Sequence, residues 1–119
     1  MSLVRQTPIK AAAANFHAPA INTAAIITLA AIAAKGHVLQ QISYSYVGAA
    51  PAANGNLIVE DGSGTTVFNI DLSLEGERSI YFDPPLKGSK NTAMIITLAA
   101  GGASVTGKLN VGQYTDDLA

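Results

Sequence analysis

From residue 37 onward the chain alternates apolar and polar positions with a period of two. Between His37 and Val47 the residues Val38, Gln40, Ile42, Tyr44 and Tyr46 share one parity and Leu39, Gln41, Ser43 and Ser45 the other, which predicts a half-buried strand with its tyrosines inward. Gly48 to Asn56, rich in Ala, Pro, Asn and Gly, reads as a loop. Leu57 to Glu60 and Thr65 to Asp71 flank Asp61-Gly62-Ser63-Gly64, a hairpin connection in which glycine supplies the positive φ of a tight turn. Glu75-Gly76-Glu77 turns the chain again and Ser79 to Phe82 reads as a strand. Asp83-Pro84-Pro85 is expected to end that strand, because proline cannot donate to a ladder. Val105 to Val111 reads as the last one. No segment argues convincingly for a helix. About seven or eight short antiparallel strands predict an all-β sandwich, and more finely a TNF-like jelly roll.

A repeat adds two of those strands. Residues 22–31 read NTAAIITLAA and residues 91–100 read NTAMIITLAA, differing only at Ala25 and Met94. The first copy alone could be drawn as an alanine-rich helix. In the second, Gly101-Gly102 stops the segment and the run Ile95-Ile96-Thr97 favours extended backbone, so both copies are read as strands, as neighbours in one sheet.

Some strands are apolar on both faces. Met94, Ile96 and Leu98 oppose Ile95 and Thr97, and Ile80 and Phe82 oppose Tyr81. A sandwich buries one face of each sheet, so a second apolar face wants another cover, and Ile26, Tyr81 and Ile95 are the expected subunit contacts of a homo-oligomer, a ring such as a trimer. Charge agrees with hidden surface. Only 13% of the 119 residues are charged, against about a quarter in ordinary domains, and between residues 11 and 59 Lys35 stands alone. Met1 to Pro19, with an alanine run between Pro8 and Pro19, reads as an extended arm ordered on a neighbour through Ile9 and Phe16, ahead of a single domain over 20–119.

The net charge of -1 argues against nucleic acid as a partner. Asn15, His17, Pro19, Asn22 and Thr23 interrupt the uncharged N-terminal stretch, whose smooth part is too short to cross a membrane, and neither a membrane span nor a secretory signal is expected. Without cysteine there is no disulfide framework, thiolate metal site or cysteine nucleophile.

Catalytic chemistry is scarce. Gly102-Ala103-Ser104-Val105-Thr106-Gly107-Lys108 has the spacing of a phosphate-binding loop, but Leu109 replaces the magnesium-binding hydroxyl residue and no helix follows. His17 and His37 lack a neighbouring acid, although one histidine per subunit could meet on a three-fold axis and hold a metal. Glu60-Asp61 and Asp116-Asp117 read as solvated edges rather than a calcium loop. No cofactor, metal or catalytic residue is expected, and the chain is read as not an enzyme.

The succession Tyr81-Phe82-Asp83-Pro84-Pro85-Leu86-Lys87-Gly88, then Asn91 through Gly102, then Val105-Thr106-Gly107-Lys108-Leu109-Asn110, with His37-Val38-Leu39 and Ser43-Tyr44-Ser45-Tyr46 upstream, resembles small proteins of tailed bacteriophages and prophages. The resemblance is to jelly-roll decoration or cement proteins of the virion. It implies a homotrimer on the capsid surface, bound to the major capsid protein and made in the host bacterial cytoplasm. The rival expectation is a receptor- or glycan-binding module, of a tail fibre or host surface, with Tyr114 as a glycan contact.

Overall fold

A computed structural model describes residues 14–48, 55–72 and 76–116, leaving out the side chains of 14–21 and 76–77. These residues form eight strands: β1 (Ala14–Ile21), β2 (Ala25–Leu29), β3 (Gly36–Val47), β4 (Gly55–Asp61), β5 (Thr66–Leu72), β6 (Gly76–Lys87), β7 (Met94–Leu98) and β8 (Thr106–Asp116). They make two antiparallel four-stranded sheets, ordered β1-β8-β3-β6 and β2-β7-β4-β5. The fold is an all-β sandwich. Its ladders are nested, β1 with β8, β2 with β7, β3 with β6 and β4 with β5, as when one long antiparallel ribbon is folded over on itself.

Alternation builds the core. Ala25, Ile27, Leu29, Leu57, Val59, Met94, Ile96 and Leu98 face inward from one sheet, and Leu39, Ile42, Tyr44, Tyr46, Leu109 and Val111 from the other. Each large side chain removed from water in this layer contributes roughly 1.5–3 kcal/mol before entropy is counted. On one side the edge strands β5 and β6 meet through Phe68 and Phe82, edge to face at 5.0 Å.

The repeat is self-pairing. β2 and β7 are antiparallel neighbours with Ile27 opposite its own counterpart Ile96, so a local two-fold relates the copies. Ala25 and Met94, the positions that differ, lie at opposite ends of the ladder. The preceding asparagines are equivalent too: Asn22 and Asn91 hold φ of 52° and 57°, the left-handed conformation that asparagine tolerates. The repeat thus encodes a turn followed by a strand.

Three sequence expectations need correction. In β3 a register shift between Leu39 and Gln41 breaks the alternation, so Leu39 joins the core cluster beside Ile42, while Val38, buried as expected, lies outside that cluster. β6 runs past Asp83-Pro84-Pro85 to Lys87; it is an edge strand, where a missing N–H costs no ladder bond, and pairing resumes at Leu86 opposite Leu39. Residues 14–19, expected in the arm, belong to β1, which pairs with β8 and accommodates Pro19 at a register shift between His17 and Ala20. The rest of the arm, with Ile9, lies outside the described residues, as does most of the loop expected over 48–56. β8 is also longer than expected, reaching Asp116.

Two glycines and a tyrosine lock one end of the sandwich. Tyr46, 2% exposed, donates its hydroxyl hydrogen to the Ala99 carbonyl at 2.5 Å, and its ring lies against Gly101 and Gly107. Burial, with Tyr44 beside it, pushes the Tyr46 hydroxyl up to about 12 from the usual 10. The unfolded chain therefore loses this proton first, and stability is full below pH about 10 and falls as pH rises toward 12. Urea titrations should give a lower midpoint at pH 11 than at pH 9, and Tyr46→Phe should lessen that fall.

Candidate functional site

The nesting of the ladders leaves each sheet one face turned away from the core. On the β2-β7-β4-β5 sheet the outward rows run Ile26, Thr97, Ile58, Asn69 and Thr28, Ile95, Glu60, Thr66 across the four strands. Ile26 is 48% exposed, while Ile95, Ile58 and Thr97 are half-buried. Glu60 is the one charge in these rows, and its carboxylate accepts the Gly64 N–H at 3.2 Å in the β4–β5 turn. The rest of these rows is isoleucine and threonine, with Asn69 at the β5 end.

The outward face of the other sheet is of different character. Tyr81, Gln41 and Gly112 form one row, and Ser79, Ser43 and Asn110 the next. Gln41 Nε2 donates to Ser43 Oγ at 2.7 Å, and Ser43 Oγ lies 3.0 Å from Ser79 Oγ, so small polar groups hold one another in place. Tyr81 stands over them, 72% exposed. One row further, Tyr114 on β8 registers with Val38 and, through it, Lys87 on β6. Two exposed tyrosines therefore share this face, set two strands apart, about 10 Å across the sheet.

The expected contact residues divide between these faces. Ile26 and Ile95 lie together on the isoleucine face, and Tyr81 lies on the opposite side of the sandwich, with Tyr114. Phe16 takes the register position opposite Asn110 in β1, at the edge of the tyrosine-bearing sheet. Ile58 completes the isoleucine face and was missed in the sequence, although Leu57-Ile58-Val59 carries the same two-faced signal as Met94-Ile95-Ile96.

The residues weighed for chemistry have structural partners. Asp61 accepts the Ser89 N–H at 3.0 Å and its hydroxyl at 2.7 Å, and Asp116 pairs with Lys87 at 3.2 Å. His37, 4% exposed, has Nε2 2.7 Å from the Ala30 carbonyl, which fixes that nitrogen as the N–H donor. In the phosphate-loop lookalike, Gly102 and Ser104 adopt positive φ in a turn, Val105 N–H bonds Gly102 O at 3.1 Å, and a strand follows. Among the described residues no three His, Asp or Glu converge as metal ligands. Comparison with protein-family models, curated proteins and solved structures finds no match to the chain.

Proposed function

We propose that the sandwich is a structural protein of a bacteriophage particle, a capsid decoration protein that acts as a homotrimer and stabilises the capsid lattice. The observation that carries this reading is the placement of Ile26 and Ile95 on one side of the protomer and Tyr81 on the other. A protomer with two unlike exposed faces can join head to tail, one face of each copy against the other face of the next, and such a contact generates a ring where the rotation between copies closes. A two-fold contact would need only one of them. The nested ladders, which we read as a jelly roll, and the resemblance of the second half of the chain to virion decoration proteins favour the capsid as the partner. The outer rim of the ring and the N-terminal segment then meet the capsid.

Light scattering at micromolar concentration tests the ring. A mass that is a multiple of three, reduced by Tyr81→Lys and by Ile95→Lys, supports it; a mass unchanged by either substitution sinks it. Co-sedimentation with capsids of the phage that encodes the chain tests the partner. The pairing of Tyr81 and Tyr114 above a hydroxyl- and amide-bearing surface favours one second reading, a glycan-binding module, because aromatic faces stack on sugar rings beside such groups. Glycan-array binding lost on Tyr81→Ala and Tyr114→Ala would select that reading over the capsid.

A further inference from the structure

Four strands end the two sheets: β1 and β6 in one, β2 and β5 in the other. Three of them carry features that discourage pairing with another chain. β1 has Pro19 and a register shift, β6 has Arg78, Pro84 and Pro85, and β5 has Asp71 and a bulge near Val67. β2 differs. Its Ala25-Ile26-Ile27-Thr28-Leu29 holds no charge, proline or glycine, and among the described residues β7 is its one ladder partner, while β1 and β8 of the other sheet pass close to it without pairing.

The strand that fits such an edge is already present in the molecule. β7, Met94-Ile95-Ile96-Thr97-Leu98, matches β2 at four of five positions and lies antiparallel against it, centred on Ile27 and Ile96. We infer that the open edge of β2 takes the β2 of a second copy, antiparallel and centred on Ile27. Two sandwiches then share one continuous sheet in the order β5-β4-β7-β2-β2-β7-β4-β5.

This register repeats side-chain pairs the fold already uses. Within one chain Ile26 faces Thr97 and Ala25 faces Leu98. Across the new two-fold, Ile26 faces Thr28 of the second copy, Ala25 faces its Leu29, and Ile27 faces its Ile27. Only the Leu29–Met94 pair has no counterpart, becoming Leu29 against alanine. A slip of one residue would set the outward residues of one copy beside the core-facing residues of the other, so the two sheets could not continue as one with their cores on the same side. The contact is made by main chain along an edge and is two-fold, so it stands or falls separately from the three-fold contact of the outer faces.

Because the chain has no cysteine, the register can be tested directly. Directly opposed Cβ atoms sit about 4.5–5.5 Å apart, within reach of a disulfide once the strands adjust, whereas diagonal ones are about 7 Å apart. Ile26→Cys mixed with Thr28→Cys should oxidise to a cross-linked dimer at a yield at least about tenfold above either variant alone. Light scattering at tens of micromolar should give an even number of copies: two from the edge alone, or six if the ring also forms. In a Tyr81→Lys background, which removes the ring contact, the count should be two and should fall to one when Ile26→Lys is added, with Thr28→Lys used if Ile26→Lys does not fold. One or three copies in the wild type, or equal cross-linking in the mixture and the single variants, overturns the pairing.

Discussion

Gly48→Ala is expected to lower stability by about 3 kcal/mol or more, a fall of about 10–15 °C in thermal midpoint for a chain of this size. A Cβ on Gly48 would lie 2.3 Å from the Ser104 carbonyl oxygen, and the φ of +110° suits only glycine. The atom in the way is backbone, held where β3 and β8 pair at Val47 and Thr106, so it cannot swing aside as a side-chain tip would. Gly64→Ala separates the two causes. Gly64 also has positive φ, +89°, but no atom within 4 Å of its would-be Cβ, so it carries the conformational cost alone, about 1 kcal/mol. Circular-dichroism melts of the two variants should differ by several degrees; equal midpoints would show that the contact with Ser104 yields freely.

Leu98→Ala should be the next most damaging change, at about 3 kcal/mol. Leu98 is fully buried at the end of β7, a strand laddered on both sides, to β2 and to β4, so its surroundings cannot collapse readily into the space it leaves. Its repeat counterpart Leu29 sits on the edge strand β2 and is slightly exposed, so Leu29→Ala should cost less, about 2 kcal/mol. Neighbouring geometry offers an internal check. A Cβ on Gly107 would lie 3.3 Å from Leu98 Cδ2, a contact that Leu98→Ala removes. The double change Leu98→Ala with Gly107→Ala should therefore cost less than the sum of the single ones in chemical denaturation. Strict additivity would mean that the two side chains do not share this space.

Much of the sandwich is legible in the alternation of residues, since Ile42, Tyr44 and Tyr46 face inward as their parity requires and the Gly62 and Gly64 turn lies where its glycines stand. The failures arise where a local rule meets a bulge or an edge. Gln40 is the extra residue of a bulge in β3 that brings Leu39 into the core cluster, and Pro84 and Pro85 sit in β6 because that strand has a ladder on one side only. The candidate surfaces were half legible. Parity within β2 and β7 turns Ile26 and Ile95 outward, and the repeat hinted that they share a sheet. Nothing local in Ser79 to Phe82 says which sheet β6 joins, so the separation of Tyr81 from the isoleucines follows only from pairing with β3, more than thirty residues earlier.

The nested ladders also set an order of events during synthesis. Only β4 and β5, joined by the short Gly62–Gly64 turn, can pair as soon as they are made. β2 must wait for β7, its counterpart 69 residues later, and β1 for β8, with Ala14 finally opposite Gly112. Contacts so distant along the chain make for slow folding. During that interval both sides of β2 stand open, and neighbouring nascent chains on one messenger carry the same unpaired strand, so crowded translation favours entanglement between siblings that spaced translation avoids.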